Sequence, residues 1–298
     1  MCGIIGYVGE RKVLPVLIEG LRRLEYRGYD SAGVALVCDG AMELRRSAGK
    51  LANLETVIAG HPIEGQYGIG HTRWATHGRP TEENAHPHRD CTGKIVVVQN
   101  GIIENYLELK HELQAEGHAF VTETDTEIVA HLVERETKKD GLENAVRRAL
   151  TRLRGHFALV LITADDPEKI VAVRSGPPVV VGVGDKEYFV ASDIPAILAH
   201  TRDVVFLGDQ EMVVVTRRGP LFTNFDGAVL DRPTQRITWD PVMAEKAGYK
   251  HFMLKEIHEQ PWAVKETIVG RVSPEKGEVY LDELGLDANA LRSVNRVV

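Results

Sequence analysis

The sequence predicts an α+β protein in which helices pack outside antiparallel β-sheets. Short apolar segments of strand length follow one another closely from Phe157 onward, and the stretches between them are too short for helical crossovers. Amphipathic helical patterns are concentrated before that point. A doubly wound parallel sheet would need a helix between successive strands, so the order of segments favours antiparallel sheets with helices on their outer faces.

The first helix is expected at about Lys12 to Glu25, directly after a short strand at Gly3 to Val8. Apolar residues such as Val13, Leu17 and Leu21 recur there at helical spacing. Further helices are predicted at about Asn105 to Glu116, Asp125 to Lys138 and Leu142 to Leu153. The remaining predicted strands are Val34 to Val37, Ile95 to Val98, Phe157 to Ile162, Ile170 to Val173, Val179 to Val183, Val204 to Leu207 and Met212 to Val215.

A change of character near Trp239-Asp240-Pro241 predicts a domain boundary. A helical pattern at about Lys250 to Val269 follows it, and then a passage rich in glycine and aspartate. With 298 residues, the chain is long enough for one large domain and a fragment of another. We therefore expect one domain over residues 2–240 and the truncated start of a second over residues 241–298.

Composition excludes several classes of function. The formal net charge is −7 and no basic stripe offsets it, which argues against nucleic-acid binding. No apolar run approaches the roughly 20 residues of a membrane span, and the N-terminus lacks a signal-peptide pattern. Cys2, Cys38 and Cys91 are an odd number of cysteines at wide spacings, which is typical of a reducing, cytoplasmic compartment rather than of a disulfide framework.

Cys2 is the first candidate catalytic residue. Aminopeptidases that remove an initiator Met accept a small second residue, so the mature chain can begin with a thiol and a free α-amine on the same residue. An α-amine with a reference pKa of about 8 can take the thiol proton, directly or through one water. The alternative is that Cys2 only packs as a small apolar side chain.

Two polar segments follow. Arg27 to Gly33 places two glycines around polar groups between a helix and a strand, which alone predicts a turn. His71 to Gly78 places a cation and hydroxyl groups at the end of a strand. In the second segment, Arg73 beside Trp74 is suited to holding a carboxylate away from water, although a purely structural loop is the alternative.

Two further segments carry amide and carboxylate groups. Gln99-Asn100-Gly101 comes directly after the predicted strand Ile95 to Val98. The Asn side chain and the next backbone N–H could converge there on an oxyanion, although an Asn-Gly turn is the commoner meaning. Thr122 to Glu127 contains capping residues before an apolar helical run, and Asp125 could either favour the helix dipole or face a substrate ammonium.

Taken together, these segments closely resemble the glutaminase domain of the glutamine–fructose-6-phosphate aminotransferases (isomerising), or glucosamine-6-phosphate synthases. The resemblance covers about residues 2–240 in order, and Lys250 to Pro261 resembles the segment that leads into the sugar-phosphate half of that family. The segments that carry it are Met1 to Ile4, Leu24 to Gly33, His71 to Gly78, Asn100 to Asn105 and Glu123 to Glu127.

The resemblance implies a four-layer αββα N-terminal-nucleophile hydrolase fold with two stacked antiparallel sheets. It implies Cys2 as nucleophile with its freed amine as base, and Asn100 with Gly101 as the oxyanion hole. It also implies roles for six other residues: Arg73 for the glutamine α-carboxylate, Asp125 for its α-ammonium, Thr76 and His77 in a loop that closes over glutamine, Trp74 in gating ammonia, and Arg27 in support.

The implied substrate is L-glutamine, with fructose 6-phosphate used only through the further domain and a homodimer expected for the full-length protein. No cofactor and no metal ligand are assigned. A metal hydrolase is an alternative, because His86-Pro87-His88 followed by Cys91 has a spacing that could begin a zinc site. A catalytically silent amino-acid sensor is another, although the intact Cys2 argues against it.

Overall fold

The computed structural model describes residues 2–137, 141–238, 249, 251–268, 272–273, 278–279, 292–294 and 296. The chain divides into two compact units, Met1–Pro241 and Val242–Val298. The boundary expected near residue 241 falls among residues 239–248, which lie outside the described part of the chain. What each unit does therefore stays a prediction at this stage.

The first unit alternates helices with short strands. Its α-helices are α1 (Val13–Leu24), α2 (Leu51–Gly60), α3 (Tyr106–Ala115), α4 (Thr126–Thr137) and α5 (Leu142–Leu150), and its 3-10 turns are Glu25–Arg27 and Ile194–Ala196. Its strands are β1 (Gly3–Val8), β2 (Ser31–Cys38), β3 (Ala41–Ala48), β4 (Tyr67–Arg73), β5 (His88–Arg89), β6 (Ile95–Ile103), β7 (Gly155–Thr163), β8 (Ile170–Ser175), β9 (Val180–Val183), β10 (Tyr188–Ala191), β11 (Asp203–Phe206), β12 (Glu211–Thr216), β13 (Gly219–Asn224) and β14 (Gln235–Arg236).

The strands of the first unit form two antiparallel sheets. The larger has the order β14-β11-β9-β10-β1-β4-β2-β3, and the smaller has the order β13-β12-β8-β7-β6-β5. Strand β1, which follows Cys2, is therefore an interior strand, paired with β10 on one side and β4 on the other. The first residues of the chain are held by hydrogen bonds on both sides.

Side chains alternate between the two faces of each sheet and so build three apolar layers. In β1, Ile5 and Tyr7 pack under α1 and α2, whereas Ile4 and Val8 face the second sheet. In β6, Val97 packs under α3, α4 and α5. The order of layers is thus helix, sheet, sheet, helix, which confirms the predicted α+β class and the four-layer αββα fold.

The described elements differ from the predicted ones where polarity hides the pattern. The sequence prediction missed α2, β3, β10 and β13, and in β3 the charged residues Glu43, Arg45 and Arg46 on an edge strand hide the pattern. Strand β6 continues to Ile103 instead of ending at Val98. The alternative of a simple Asn-Gly turn at residues 100–101 therefore does not hold, since both residues lie inside a paired strand.

The second unit is described in part. It contains α6 (Phe252–Ile268), within the helix predicted at Lys250 to Val269, and a short antiparallel pair, β15 (Val272–Ser273) and β16 (Glu278–Val279). The two ends of that predicted helix lie outside the described residues. Among the helices that are described in the chain, none is long and apolar enough to cross a membrane.

Three stacked histidines join the two sheets of the first unit. His71 lies on β4, His88 lies on β5, and His86 lies between their rings, with ring centroids 4.3 and 4.8 Å apart. His71 Nε2 lies 2.9 Å from the carbonyl oxygen of Gln99 and 3.1 Å from Asn100 Oδ1, so this nitrogen carries the proton. A neutral, correctly oriented imidazole thus links β4 to β6.

Burial keeps these rings uncharged. It lowers the pKa of His71 and of His88 to about 3, and together with the neighbouring rings it lowers the pKa of His86 well below its ordinary value. Both ring nitrogens of His88 lack a hydrogen-bond partner in the described part of the chain. The stack is therefore stable only while its members stay neutral.

We predict that acid destabilises the domain through this stack. An unfolded histidine binds a proton below a pKa of about 6.5, whereas folded His88 stays neutral down to about 3, so the unfolded state binds more protons in that window. The stability from His88 is complete above about pH 6.5 and is lost as the pH falls, by up to about 1.4 kcal/mol per pH unit. Urea unfolding of His88→Phe between about pH 7 and about pH 5 should show a correspondingly shallower decline.

The matched control is His61→Phe, because His61 is an exposed histidine. That variant should keep the wild-type dependence on pH. An unchanged slope in His88→Phe would contradict the assignment of a neutral buried His88.

Candidate active site around Cys2

The Cys2 thiol lies against the turn that follows β4. Gly3 pairs with Thr72, and the Trp74 backbone N–H donates a hydrogen bond of 3.2 Å to Cys2 Sγ. Burial raises the pKa of the thiol, and the Trp74 contact, the N-terminal charge and Arg73 offset this only in part. The thiol is therefore protonated at neutral pH and needs a base to become a nucleophile.

The segment Arg27 to Gly33 supports that turn. A side chain at Gly28 would bring its Cβ to 2.9 Å from the Trp74 nitrogen, so the residue must be glycine for the two backbones to approach this closely. The Asp30 N–H donates to the Arg73 carbonyl at 3.1 Å, and the Asp30 carboxylate accepts a hydrogen bond from the Ala75 N–H. The segment Arg27 to Gly33, which alone predicts only a turn, therefore holds in place the Trp74 backbone that contacts Cys2.

Asn100 faces Cys2 from the other sheet. Its Nδ2 donates to the Cys2 carbonyl oxygen at 3.2 Å, and its Oδ1 accepts from His71 Nε2. Gly101 follows with φ of 98°, and a Cβ there would collide with the His156 carbonyl oxygen across the ladder. Glycine is therefore required at position 101, beside an amide whose orientation is fixed from both ends.

Two buried, oppositely charged groups lie near the thiol. Arg73 is 3 % exposed, and its guanidinium donates to the carbonyl oxygens of His77, Gly78 and Arg79. Burial lowers the pKa of Arg73, against the opposing effect of nearby carboxylates that include Asp125. The site therefore presents both a cation and an anion in a region with little water.

Asp125 immediately precedes α4 and is 4 % exposed. Its Oδ2 accepts two hydrogen bonds of 2.8 Å, from Gln99 Nε2 and from the Ile103 N–H. Both donors belong to β6, so the strand that carries Asn100 also positions Asp125. Neither of the two donors that hold the Asp125 carboxylate is a cation.

The other predicted residues surround this centre. Trp74 is 48 % exposed and meets Tyr29 edge-on, with ring centroids 5.7 Å apart. Thr76 is exposed on the same loop, and the His77 ring packs edge-on against Tyr106 at 5.3 Å.

Arg27 contacts Asp193, which lies outside this centre. Its Nη1 donates to Asp193 at 2.6 Å, and the Tyr26 hydroxyl donates to the same carboxylate oxygen at 2.9 Å. Directly beside Asp193, the Ser192 hydroxyl oxygen accepts a hydrogen bond of 3.0 Å from the Ile4 N–H in β1. Arg27 is therefore tied to the segment that bonds the strand following Cys2.

Sequence reasoning did not select His71, Gln99 or Asp30 as site residues. His71 and Asp30 lie inside segments that stood out as motifs, and Gln99 directly precedes Asn100, but their contacts join distant parts of the chain.

The zinc site suggested by His86-Pro87-His88 with Cys91 does not form among the described residues. The group of metal-binding side chains around Cys91 contains neither of those histidines.

Comparisons with known proteins agree with this geometry. The profile of a family described as "Glutamine amidotransferase domain" matches residues 71–199. The chain is 50% identical over 298 residues to glutamine–fructose-6-phosphate aminotransferase [isomerizing] of Symbiobacterium thermophilum, covering all of this chain and 49% of the relative. It is 52% identical over 272 residues to the protein of that name from Thermococcus kodakarensis, covering 91% of this chain and 45% of the relative. The chain spans about half the length of the curated relatives it matches.

Solved structures resemble the same domain. Glutamine phosphoribosylpyrophosphate amidotransferase from B. subtilis superposes with a TM-score of 0.65 at 25% identity, over 76% of this chain and 50% of that one. A glutamine aminotransferase class-II domain protein from Silicibacter pomeroyi, at 16% identity, has a TM-score of 0.52 over 75% of this chain and 99% of its own, and shares the fold. Residues 71–199 therefore carry a glutamine amidotransferase domain, and the whole chain is similar to about half of the glutamine–fructose-6-phosphate aminotransferases.

Proposed function

We propose that this domain hydrolyses the side-chain amide of free L-glutamine to glutamate and ammonia through a thioester on Cys2. The observation that carries the proposal is the hydrogen bond from the Asn100 amide to the backbone of Cys2, with the buried charges of Arg73 and Asp125 in the same region. A nucleophile, an oxyanion donor and two groups for the ends of an amino acid are what this reaction requires.

The base is the α-amine of Cys2 itself, freed when Met1 is removed. Burial raises the pKa of the thiol, so the thiol does not ionise unaided at neutral pH. A free amine with a pKa near 8 lies within reach of its own side chain and can accept that proton. While Met1 is attached, the same nitrogen is an amide and cannot act as a base.

The reaction then proceeds in two acyl transfers. The Cys2 sulfur bonds to the amide carbon of glutamine as the α-amine takes the thiol proton, and the oxyanion accepts hydrogen bonds from the Asn100 Nδ2 and the Gly101 N–H. The C–N bond breaks, and the ammonium group of Cys2 returns the proton so that ammonia leaves. Water adds to the thioester, its proton passes through the same amine to the sulfur, and glutamate is released.

His71 is a positioning residue in this scheme. Its Nε2 proton is donated to Asn100 Oδ1, so the Asn100 amide cannot rotate without losing that bond, and the Nδ2 donor stays directed towards Cys2. A fixed donor that needs no reorganisation is worth more in the transition state than a mobile one.

Recognition of free glutamine follows from the charges. Arg73 would take the α-carboxylate and Asp125 the α-ammonium, while Thr76 and His77 belong to the loop that would close over the substrate. Trp74, half-exposed beside the thiol, would gate the passage of ammonia, and Arg27 supports β1 through Asp193.

In the full-length protein, the ammonia would be used to make glucosamine 6-phosphate from fructose 6-phosphate. This proposal rests on the names of the relatives, of which the chain spans about half. Fructose 6-phosphate would bind the other domain, and we place the protein in the cytoplasm as a homodimer when it is full-length. Residues 241–298 would lead from the glutaminase domain into that second half.

The direct test is Cys2→Ala, which should abolish ammonia release from glutamine. The matched control is Cys38→Ala, because Cys38 is also a free, half-buried cysteine but has no catalytic neighbours. That variant should keep the wild-type rate. Ammonia release by Cys2→Ala above the uncatalysed rate would refute the nucleophile, and glutamine binding without turnover by the wild-type chain, after intact mass shows Met1 removed, would identify a sensor instead.

Asn100→Ala should lower kcat by about two to three orders of magnitude with little change in KM, since an oxyanion donor acts in the transition state. Steady-state kinetics would measure both constants. Asn144→Ala is the control, because Asn144 is exposed on α5 and its side chain accepts a hydrogen bond from Arg147. A raised KM with normal kcat in Asn100→Ala would make Asn100 a binding residue.

Glutamine with a blocked α-amine or a blocked α-carboxylate should lose at least about 30-fold in kcat/KM. Each block leaves Asp125 or Arg73 as a buried charge without its partner, and such a loss typically costs about 2–5 kcal/mol. Nα-acetylglutamine and glutamine α-amide, assayed beside free glutamine, test the two ends separately. Equal rates on all three substrates would remove both residues from substrate recognition.

A further inference from the structure

We propose that Cys91, His118, His131 and Glu134 form a structural Zn²⁺ site. The four side chains come from three segments: Cys91 from the loop between β5 and β6, His118 from the connection between α3 and α4, and the other two from α4. One ligand atom from each residue lies within 4.8 Å of all the others.

The separations are those of a tetrahedral metal site. Cys91 Sγ lies 3.4 Å from His131 Nδ1 and 3.7 Å from His118 Nδ1. Glu134 Oε2 lies 3.2 Å from His118 Nδ1 and 3.4 Å from His131 Nδ1. Zinc bonds of about 2.3 Å to sulfur and about 2.0–2.1 Å to nitrogen place tetrahedral ligand atoms about 3.3–3.6 Å apart. These four distances are close to those between the ligand atoms of a tetrahedral zinc ion.

The types of the four ligands indicate which metal binds and whether the site is structural or catalytic. A thiolate with two imidazoles is a combination that suits zinc and does not suit magnesium or calcium, which prefer oxygen ligands. Four protein ligands complete a tetrahedron and leave no position open for a substrate or an activated water. The site is therefore structural rather than catalytic.

His131 lies between two carboxylates, an arrangement that favours a cation beside it. Its Nδ1 faces the carboxylate of Glu134, and its Nε2 lies 3.6 Å from Glu127 Oε1, with both His131 and Glu127 side chains 1 % exposed. A neutral imidazole has one N–H, so without a cation one of its nitrogens directs a lone pair at a carboxylate. Zinc on Nδ1 removes that conflict and leaves the Nε2 proton for Glu127, the outer partner commonly found behind a metal-bound histidine.

The ligands join elements that hold the active site. The segment between His118 and α4 contains Asp125, and Glu127 accepts hydrogen bonds of 2.8 Å from the backbone of Val121 and of Thr122. A metal that clamps this segment to the β5–β6 loop would reduce its local opening. When zinc binds, the Cys91 thiol releases its proton to solvent and the S–Zn bond replaces the S–H bond, so binding should strengthen with pH.

The experiment uses the full chain without an affinity tag, carrying Cys2→Ser so that the nucleophile contributes no thiolate. Apoprotein is titrated with Co²⁺, which reports thiolate ligation by a charge-transfer band in the near ultraviolet, and then with Zn²⁺ in competition. We expect one metal ion per chain. Adding Cys91→Ser should abolish the band and weaken Zn²⁺ binding at least about 100-fold, more than the loss of an outer partner.

Cys38→Ser in the same background is the matched control and should retain the band and the affinity. His118→Ala should keep the band and weaken binding, because the thiolate remains. Circular dichroism checks that each variant is folded. Absence of the band in the Cys2→Ser chain, or its persistence after Cys91→Ser, would overturn the proposal, and so would a zinc-induced rise in Tm of equal size in the Cys91→Ser and Cys38→Ser chains.

Discussion

The active site depends on one amide side chain that is bonded at both ends. Asn100 lies on the smaller sheet, receives a hydrogen bond from His71 on the larger sheet, and donates one to the backbone of Cys2. The spacing between the sheets and the neutral state of the buried histidines are therefore part of the catalytic geometry. A change in the sheet spacing or in the charge of the histidines would reorient the Asn100 amide before it affected the Cys2 thiol.

Strand β6 organises the rest of the site. Its residues provide Asn100 and Gly101, and Gln99 and the Ile103 N–H hold the Asp125 carboxylate. Because β6 pairs with β7 through its whole length, the proposed oxyanion donors and the groups that hold the Asp125 carboxylate belong to one rigid piece. The loop that carries Arg73 and Trp74 is, in contrast, bonded mainly to its own backbone and to Asp30. Adjustment around a substrate is easier on that side.

The sequence allowed the fold class to be predicted, because apolar periodicity is a local signal, and a Cys at position 2 made the proposed nucleophile stand out in the same way. The extent of β6 was not predictable in the same way. Polar residues Gln99 and Asn100 interrupt the apolar run, and their pairing with Leu159 and Ala158 keeps them in the strand. Likewise, the link between His71 and Asn100 depends on two sheets stacking in a particular register, which no local pattern encodes. The strand β3 was missed because its exposed face is charged.

The position of β1 inside the larger sheet has a further consequence for the start of the chain. Most proteins have a loose N-terminus, but here β4 pairs with β1 from Gly3 onward and β10 pairs with it from Ile5 onward. The residues that follow Cys2 are therefore held as firmly as core positions. Under the proposed mechanism, an affinity handle or fusion partner attached before Cys2 would convert its α-amine into an amide, so such additions belong at the other end of the polypeptide.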